Sequence, residues 1–118
     1  MEPKIEVIFE ENFAILVMDG RFIPGGTPEI SDVIKQKFDE LVKNNHLKVL
    51  VDLRNVDFFA SNTIGALIYG YNVLEDHKGK IALWRPKSYI GDSLKLVRID
   101  KIITITDDKD EALTALGL

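Results

Sequence analysis

The sequence predicts an α/β domain with a mixed sheet of four or five strands, an antiparallel hairpin at its start and about four helices. Two apolar runs separated by a short polar turn open the chain, and strand-like and helix-like segments alternate strictly after residue 47. Such alternation is typical of parallel strands joined by right-handed crossovers, whose helices cover the sheet. The chain has 118 residues and no internal repeat or linker, so we expect residues 1–118 to form one domain.

The predicted hairpin consists of the runs KIEVIFE and NFAILVM, which flank a polar turn. In the first run Ile5, Val7 and Phe9 alternate with charged or exposed positions, which indicates a strand with one buried face. The second run is more continuously apolar, so we expect it to be the more buried strand of the hairpin.

The first helix is predicted to begin at Thr27 and Pro28, because this pairing suits an N-cap and a first helical position. We expect it to end at the pair Asn44 and Asn45. Its apolar residues recur at steps of three and four, as on a surface helix packed against a sheet: Ile30, Val33, Ile34, Phe38, Leu41 and Val42.

The run LKVLVDL is almost continuously apolar, which predicts a central strand buried on both faces. The segment NVDFFA and a polar triplet follow, and then a second helical pattern. Ser61 falls at the boundary, so we expect it to be the N-cap of the second helix, and we expect Gly79 to be its left-handed C-cap.

The remaining segments continue the alternation. KIALW and KIITIT are predicted strands, PKSYIGDSLKLVRI a short helix, and DDKDEALTALG a C-terminal helix capped by Asp107 or Thr106.

The composition excludes several function classes. Hydrophobic residues make up 46% and charged residues 29% of the chain, as in a soluble globular protein, and we expect a cytoplasmic one. A net charge of -4 without a Lys/Arg stripe argues against nucleic acid. No apolar run is long enough to cross a bilayer, so we expect no direct membrane insertion, and the chain has no cysteine.

The residues that a catalytic or metal site needs are scarce. His46 and His77 fall at helix ends, and the pair Gly25 and Gly26 lacks the phosphate-loop patterns. The acidic residues at 107–111 lack a calcium-binding loop. Trp84 closes a strand and is read as a core aromatic, with stacking on a ligand as the alternative. We therefore expect no enzyme, no cofactor and no metal site.

Ser61 is the exception, because it follows the carboxyl end of a central parallel strand, where open α/β sheets carry their sites. A phosphate there would meet the positive end of a helix dipole. Gly65, Tyr69 and Val73 follow Ser61 at steps of four and form a second stripe that a solvated helix would fill with charges. We expect this stripe to be a contact surface; the alternative places Tyr69 along the flank of the helix.

The order of these elements, the strand VLVDLRNVDFF, the helix start SNTIGAL and the tail LKLVRIDKIITITDDKDEAL resemble the STAS domain, named for sulfate transporters and anti-sigma factor antagonists. The resemblance covers nearly the whole chain, and its compactness resembles the free-standing bacterial antagonists. In that family the helix opens with Asp-Ser-Ser/Thr-Gly-Leu-Gly, and its first serine is phosphorylated by a partner that is both anti-sigma factor and serine kinase. The unphosphorylated antagonist sequesters this kinase, and a phosphatase resets the cycle.

The resemblance implies that Ser61 is the phosphorylated serine and that Ile64 and Gly65 stand for the leucine and the second glycine. The chain departs from the motif at Ala60, Asn62 and Thr63, which replace the aspartate, the second hydroxyl residue and the first glycine. Ile23 replaces a second acidic residue of the family, in the loop before the first helix. These changes remove acidic groups that would flank the phosphoacceptor.

We therefore interpret the chain as a non-enzymatic regulator of transcription that reversibly binds an anti-sigma factor/serine kinase, with a phosphatase as second partner. One alternative is a STAS scaffold or transporter-accessory subunit that is never phosphorylated. Another is a small-molecule or nucleotide-binding domain that uses the glycine pair and the start of the second helix. The predicted partner-binding residues are Ile23, Ser61, Asn62, Thr63, Gly65, Tyr69 and Val73.

Overall fold

The computed structural model describes residues 2–118, which form a five-stranded sheet and four α-helices. The strands are β1 (Lys4–Phe9), β2 (Ala14–Phe22), β3 (Lys48–Phe59), β4 (Lys80–Trp84) and β5 (Thr104–Thr106). The helices are α1 (Ile30–Lys43), α2 (Ser61–Asp76), α3 (Ser88–Leu96) and α4 (Lys109–Ala115), and a short 3-10 helix spans Ile99–Lys101.

The sheet is mixed, as the sequence predicts. Its strand order is β1-β2-β3-β4-β5; β1 pairs with β2 antiparallel, and every other neighbouring pair is parallel. Each parallel crossover connects a strand to its immediate neighbour in the sheet, and the order always advances from β2 toward β5. Right-handed crossovers that step in one direction must place all their helices on the same face, and only α4, after the last strand, is free to cover the other face.

The core follows from this topology. The larger cluster packs α1, α2 and α3 against one face of the sheet, through residues such as Phe38, Leu67 and Leu94. A smaller cluster on the other face places Ala112 and Leu116 of the C-terminal segment against Ile15, Leu50, Ala82 and Trp84. Residues 49–53 are all buried, which confirms that β3 is the central strand with two covered faces.

The predicted start of α1 is wrong by two residues. The helix begins at Ile30 with Glu29 as N-cap, rather than at Thr27 and Pro28. A carboxylate oxygen of Glu29 accepts a hydrogen bond from the amide of Gly25 at 2.8 Å, so the preceding residues close as a loop on the helix start. The predicted end is confirmed: Asn44 is the C-cap and Asn45 has a left-handed φ of 63°.

Gly79 does not supply the left-handed residue after α2; Lys78 does, with a φ of 61°. Gly79 is needed for space, because a Cβ there would overlap the carbonyl oxygen of Leu47.

Two predictions near the C-terminus need correction. Strand β5 covers only three residues of the segment KIITIT, because Ile99 and Ile103 are buried at a helical spacing and the Ile103 amide donates to the Ile99 carbonyl. Helix α4 is capped by Asp108, whose carboxylate accepts from the amides of Asp110 and Glu111, and not by Asp107 or Thr106. No helix within residues 2–118 has the length and apolar character that a membrane crossing requires.

Close packing of α1 on α2 depends on Gly70, because a Cβ at this position would overlap the fully buried ring of Phe38. We expect Gly70→Ala to lower the free energy of unfolding by about 1 to 3 kcal/mol, measured by urea denaturation, since the ring has no free volume to move into. Gly65→Ala on the same helix is the control: no atom lies within 4 Å of the added Cβ. There we expect a gain of about 0.5 to 1 kcal/mol, and equal midpoints for the two variants would contradict the packing argument.

Candidate functional site

The carboxyl ends of β2 and β3 meet at one edge of the sheet. Phe22 is opposite Phe59 in the parallel register, and their rings contact edge to face with centroids 6.0 Å apart. The amide of Ala60 donates to the carbonyl of Phe22 at 2.8 Å. This bond fixes the start of α2 beside the loop that follows β2, at the edge where parallel sheets carry their sites.

Ser61 is exposed at this edge, but it is not the N-cap of α2. Ala60 is the N-cap, with an extended ψ of 165°, and its carbonyl accepts from the amides of Thr63 and Ile64 at 3.1 and 3.3 Å. At this helix start no residue of 2–118 forms a side-chain cap bond. The predicted N-cap was wrong by one residue, because Ala60 adopts the extended conformation of an N-cap. The Ser61 hydroxyl therefore does not cap the helix.

The two residues after Ser61 differ in environment. Thr63 is fully buried, and its hydroxyl donates to the Phe22 carbonyl at 3.4 Å, so this side chain joins α2 to the end of β2. Asn62 is half-buried, and its side-chain oxygen has no hydrogen-bond partner among residues 2–118. The triplet thus combines an exposed hydroxyl with a buried structural one.

The structure brings Ile23 and Gly65 to the same region as Ser61. Ile23 directly follows β2, is 44% exposed, and lies next to the bond between Phe22 and Ala60. Gly65 is exposed one turn after Ser61. An apolar side chain therefore stands in the loop next to the serine.

Tyr69 and Val73 lie farther along α2. Both are half-buried, and the Tyr69 hydroxyl donates to a carboxylate oxygen of Asp39 on α1 at 2.7 Å. This hydrogen bond raises the pKa of Tyr69 above its ordinary value. Val73 packs against the larger core cluster. Contact of these two residues with a partner stays a prediction.

The sequence did not predict an ion pair that lies at this edge. Lys87, just before α3, forms an ion pair with Asp57 near the end of β3, and the Tyr89 hydroxyl donates to the Asp57 carbonyl at 2.9 Å. The hydrogen bond from Lys87 lowers the pKa of Asp57, and the same bond raises the pKa of Lys87. The partners are 30 residues apart, so no local spacing connects them.

The other side chains considered from sequence have structural roles. His77 lies at the C-cap of α2, with Nδ1 2.9 Å from the Val73 carbonyl, and His46 stacks on Phe9. Trp84 is 9% exposed and packs in the smaller core cluster, and the Arg85 guanidinium lies over its ring. A groove of about 570 Å³ lies beside Gly25 and Gly26. Its lining is mainly apolar and, among residues 2–118, includes no cation for the phosphates of a nucleotide.

A family model described as STAS domain matches residues 5–112. This chain belongs to the STAS domain family. A curated relative, the anti-sigma F factor antagonist of Paenibacillus polymyxa, is 24% identical over 87 residues, which are 73% of this chain and 74% of the relative.

Solved structures agree with the family assignment. An anti-sigma factor antagonist from Mycobacterium paratuberculosis superposes with a TM-score of 0.82 at 18% identity, over 99% of this chain and 96% of the other. The phosphorylated form of the Bacillus cell fate determinant SpoIIAA superposes with a TM-score of 0.69 at 12% identity, over 96% of this chain and 97% of the other. The mixed five-stranded sheet with its opening hairpin is therefore the STAS fold.

Because Ser61 is the first residue of α2 and not its cap, its replacement should be mild. We expect Ser61→Ala to change the free energy of unfolding by less than about 0.5 kcal/mol, as exposed substitutions usually do. The measurement is urea denaturation, with Asp108→Ala, which removes a real cap of α4, as the comparison. That variant should lose about 0.5 to 2 kcal/mol; a comparable loss in Ser61→Ala would show that the hydroxyl caps α2 after all.

The pair of Asp57 and Lys87 should be visible by titration. Since the folded pKa of Asp57 is lowered, the pair stabilises the fold above the ordinary carboxyl pKa of about 3.9, and this contribution is lost as the pH falls through the lowered value. We expect Lys87→Met to move the Asp57 midpoint, followed by NMR, upward toward about 3.9. Lys80→Met at the other end of β4 should leave it unchanged, and an unchanged midpoint in Lys87→Met would contradict the ion pair.

Proposed function

We propose that this STAS domain is an anti-sigma factor antagonist that regulates transcription in the cytoplasm by reversibly binding an anti-sigma factor/serine kinase. The observation that carries the proposal is the position of Ser61, exposed at the start of α2, with a hydroxyl that the helix does not use. The names of the relatives support it, since the curated relative and the Mycobacterium protein are both anti-sigma factor antagonists. The protein acts by binding and not by catalysis.

Phosphorylation of Ser61 is the proposed switch. A phosphate on the first residue of α2 would meet unpaired amide groups and the positive end of the helix dipole, an interaction of about 0.3 to 1 kcal/mol at an exposed site. The fold therefore tolerates the modification. The surface changes by a charge of about -1.5 to -2, which removes a partner bound there, and a phosphatase restores the binding form.

The binding face is proposed to consist of the residues that surround this serine. Ile23, Asn62 and Gly65 lie near Ser61 at the edge where the parallel strands end. The buried Thr63 supports this edge through its hydrogen bond to the Phe22 carbonyl. Tyr69 and Val73 extend the face along α2 on the side of α1. SpoIIAA, a relative in fold, has been solved in a phosphorylated form, which supports a modified state of this kind.

A second function is favoured by a specific observation. Neither Ala60, directly before the serine, nor Ile23, in the neighbouring loop, offers a carboxylate for a kinase to recognise. A STAS domain without such groups suits a scaffold or transporter-accessory subunit that uses the same edge and is never phosphorylated.

The test compares Ser61→Asp and Ser61→Ala in calorimetric titrations with each purified anti-sigma factor/serine kinase encoded by the same genome. We expect Ser61→Asp to fold normally, since a carboxylate suits the first turn of a helix, and to bind at least about tenfold more weakly, because it places a charge in the contact. Ser61→Ala should keep its affinity and accept no phosphate from ATP, as read by mass spectrometry.

Asn12→Asp is the control, because it adds the same charge at an exposed position in the turn between β1 and β2, at the opposite end of β2 from the serine, and should bind like the wild type. Binding without phosphate on the wild-type Ser61 would favour the scaffold over the switch. If no anti-sigma factor binds the wild type, the proposal is wrong.

A further inference from the structure

Three large hydrophobic side chains are exposed around the edge that carries Ser61. Ile23 follows β2, Phe58 is near the end of β3, and Tyr89 lies in the first turn of α3 after β4; they are 44%, 42% and 52% exposed. We call these three residues the edge cluster. Single exposed hydrophobics are ordinary, but these three lie at or shortly after the carboxyl ends of the consecutive strands β2, β3 and β4, and apolar side chains grouped at one edge often mark an interface.

The edge cluster is held by the fold. The Tyr89 hydroxyl donates to the Asp57 carbonyl, next to Phe58 in the chain. The Phe58 ring lies under the guanidinium of Arg21, 5.4 Å from its centroid, and these two residues are opposite each other in the β2–β3 register. Side chains fixed in this way lose little conformational entropy on binding, so they suit the role of anchors.

The two residues next to the serine in space and sequence, Ile23 and Ala60, are uncharged. Charged groups beside the edge cluster contact other side chains: Asp57 is paired with Lys87, and the guanidinium of Arg21 lies over the Phe58 ring. Lys4 and Asp19 line a groove together with Asp57 and Lys87. An apolar side chain of a partner would meet three exposed hydrophobic side chains at this edge.

We infer that the anti-sigma factor seats an apolar side chain against the edge cluster, and that a charge on Ser61 breaks the complex by its cost of desolvation. Burying a charge beside apolar groups is costly whatever its sign. The inference rests on the proposed function and adds the chemistry of the partner and the cause of release. A switch based on repulsion between like charges would depend on the sign of the added charge instead.

The sign of the charge is therefore the sharpest test. With the purified anti-sigma factor that binds the wild type, we expect Ser61→Lys and Ser61→Asp both to bind at least about tenfold more weakly. Wild-type affinity should change less than about threefold between roughly 50 and 500 mM NaCl, because apolar contacts are not screened. Wild-type affinity in Ser61→Lys, or a steep fall in wild-type affinity with salt, would overturn the inference.

Substitutions in the edge cluster test whether its side chains are anchors for the partner. We expect Tyr89→Ala and Ile23→Asp each to weaken binding by about ten- to a hundredfold, as loss of a central anchor does. Tyr89→Phe, which keeps the ring, should recover most of the affinity that Tyr89→Ala loses. Leu96→Ala is the matched control: Leu96 is 85% exposed and ends the same helix away from the edge, so its loss should not matter.

The outcomes separate this inference from the proposed function. If Ser61→Asp releases the partner while Tyr89→Ala and Ile23→Asp bind like the wild type, the edge cluster is not the contact, and the antagonist function stands. If no anti-sigma factor binds the wild type, both fail. Circular dichroism and thermal unfolding of each variant exclude misfolding as the cause of a lost affinity.

Discussion

The arrangement of this protein depends on the hydrogen bond from the Ala60 amide to the Phe22 carbonyl, which ties the start of α2 to the end of β2. The bond forms because β2 and β3 are parallel and end together, with Phe22 opposite Phe59. It sets the first turn of α2 against the sheet and leaves Ser61 facing solvent. A longer β3 or an earlier helix would bury the serine or move it away from the loop that carries Ile23.

The same turn carries a buried structural hydroxyl and an exposed one within three residues. Thr63 is buried and donates to the Phe22 carbonyl, so its hydroxyl serves the fold. Ser61 is exposed and does not cap the helix, so its hydroxyl has no structural role at the helix start. The proposed phosphorylation of Ser61 would therefore change the free energy of unfolding little, because Ala60 takes the N-cap position and leaves the Ser61 hydroxyl without a capping bond.

The sequence was sufficient for features that depend on burial periodicity. The apolar run LKVLVDL identified the central strand, and the alternation after it predicted the parallel crossovers. Helix ends were harder to predict because they depend on single bonds between close alternatives, such as the one from Gly25 to Glu29 that moved the start of α1. The place of Ser61 after the end of β3 was predictable to within one residue, and its role in binding stays a prediction. The pairing of Asp57 with Lys87 was not predictable, because it joins β3 to the segment before α3, 30 residues farther along the chain.

The departures from the family motif also bear on what a phosphate on Ser61 would change at this edge. A phosphate added beside carboxylates would add to a negative field already present, so the change on modification would be one of degree. In this chain Ala60 and Ile23 are neutral, and Asp57 is compensated by Lys87. A phosphate on Ser61 would thus add a negative charge beside uncharged residues. Because the cost of burying a charge far exceeds the benefit of a few apolar contacts, the proposed phosphorylation would be sufficient to weaken binding at this surface.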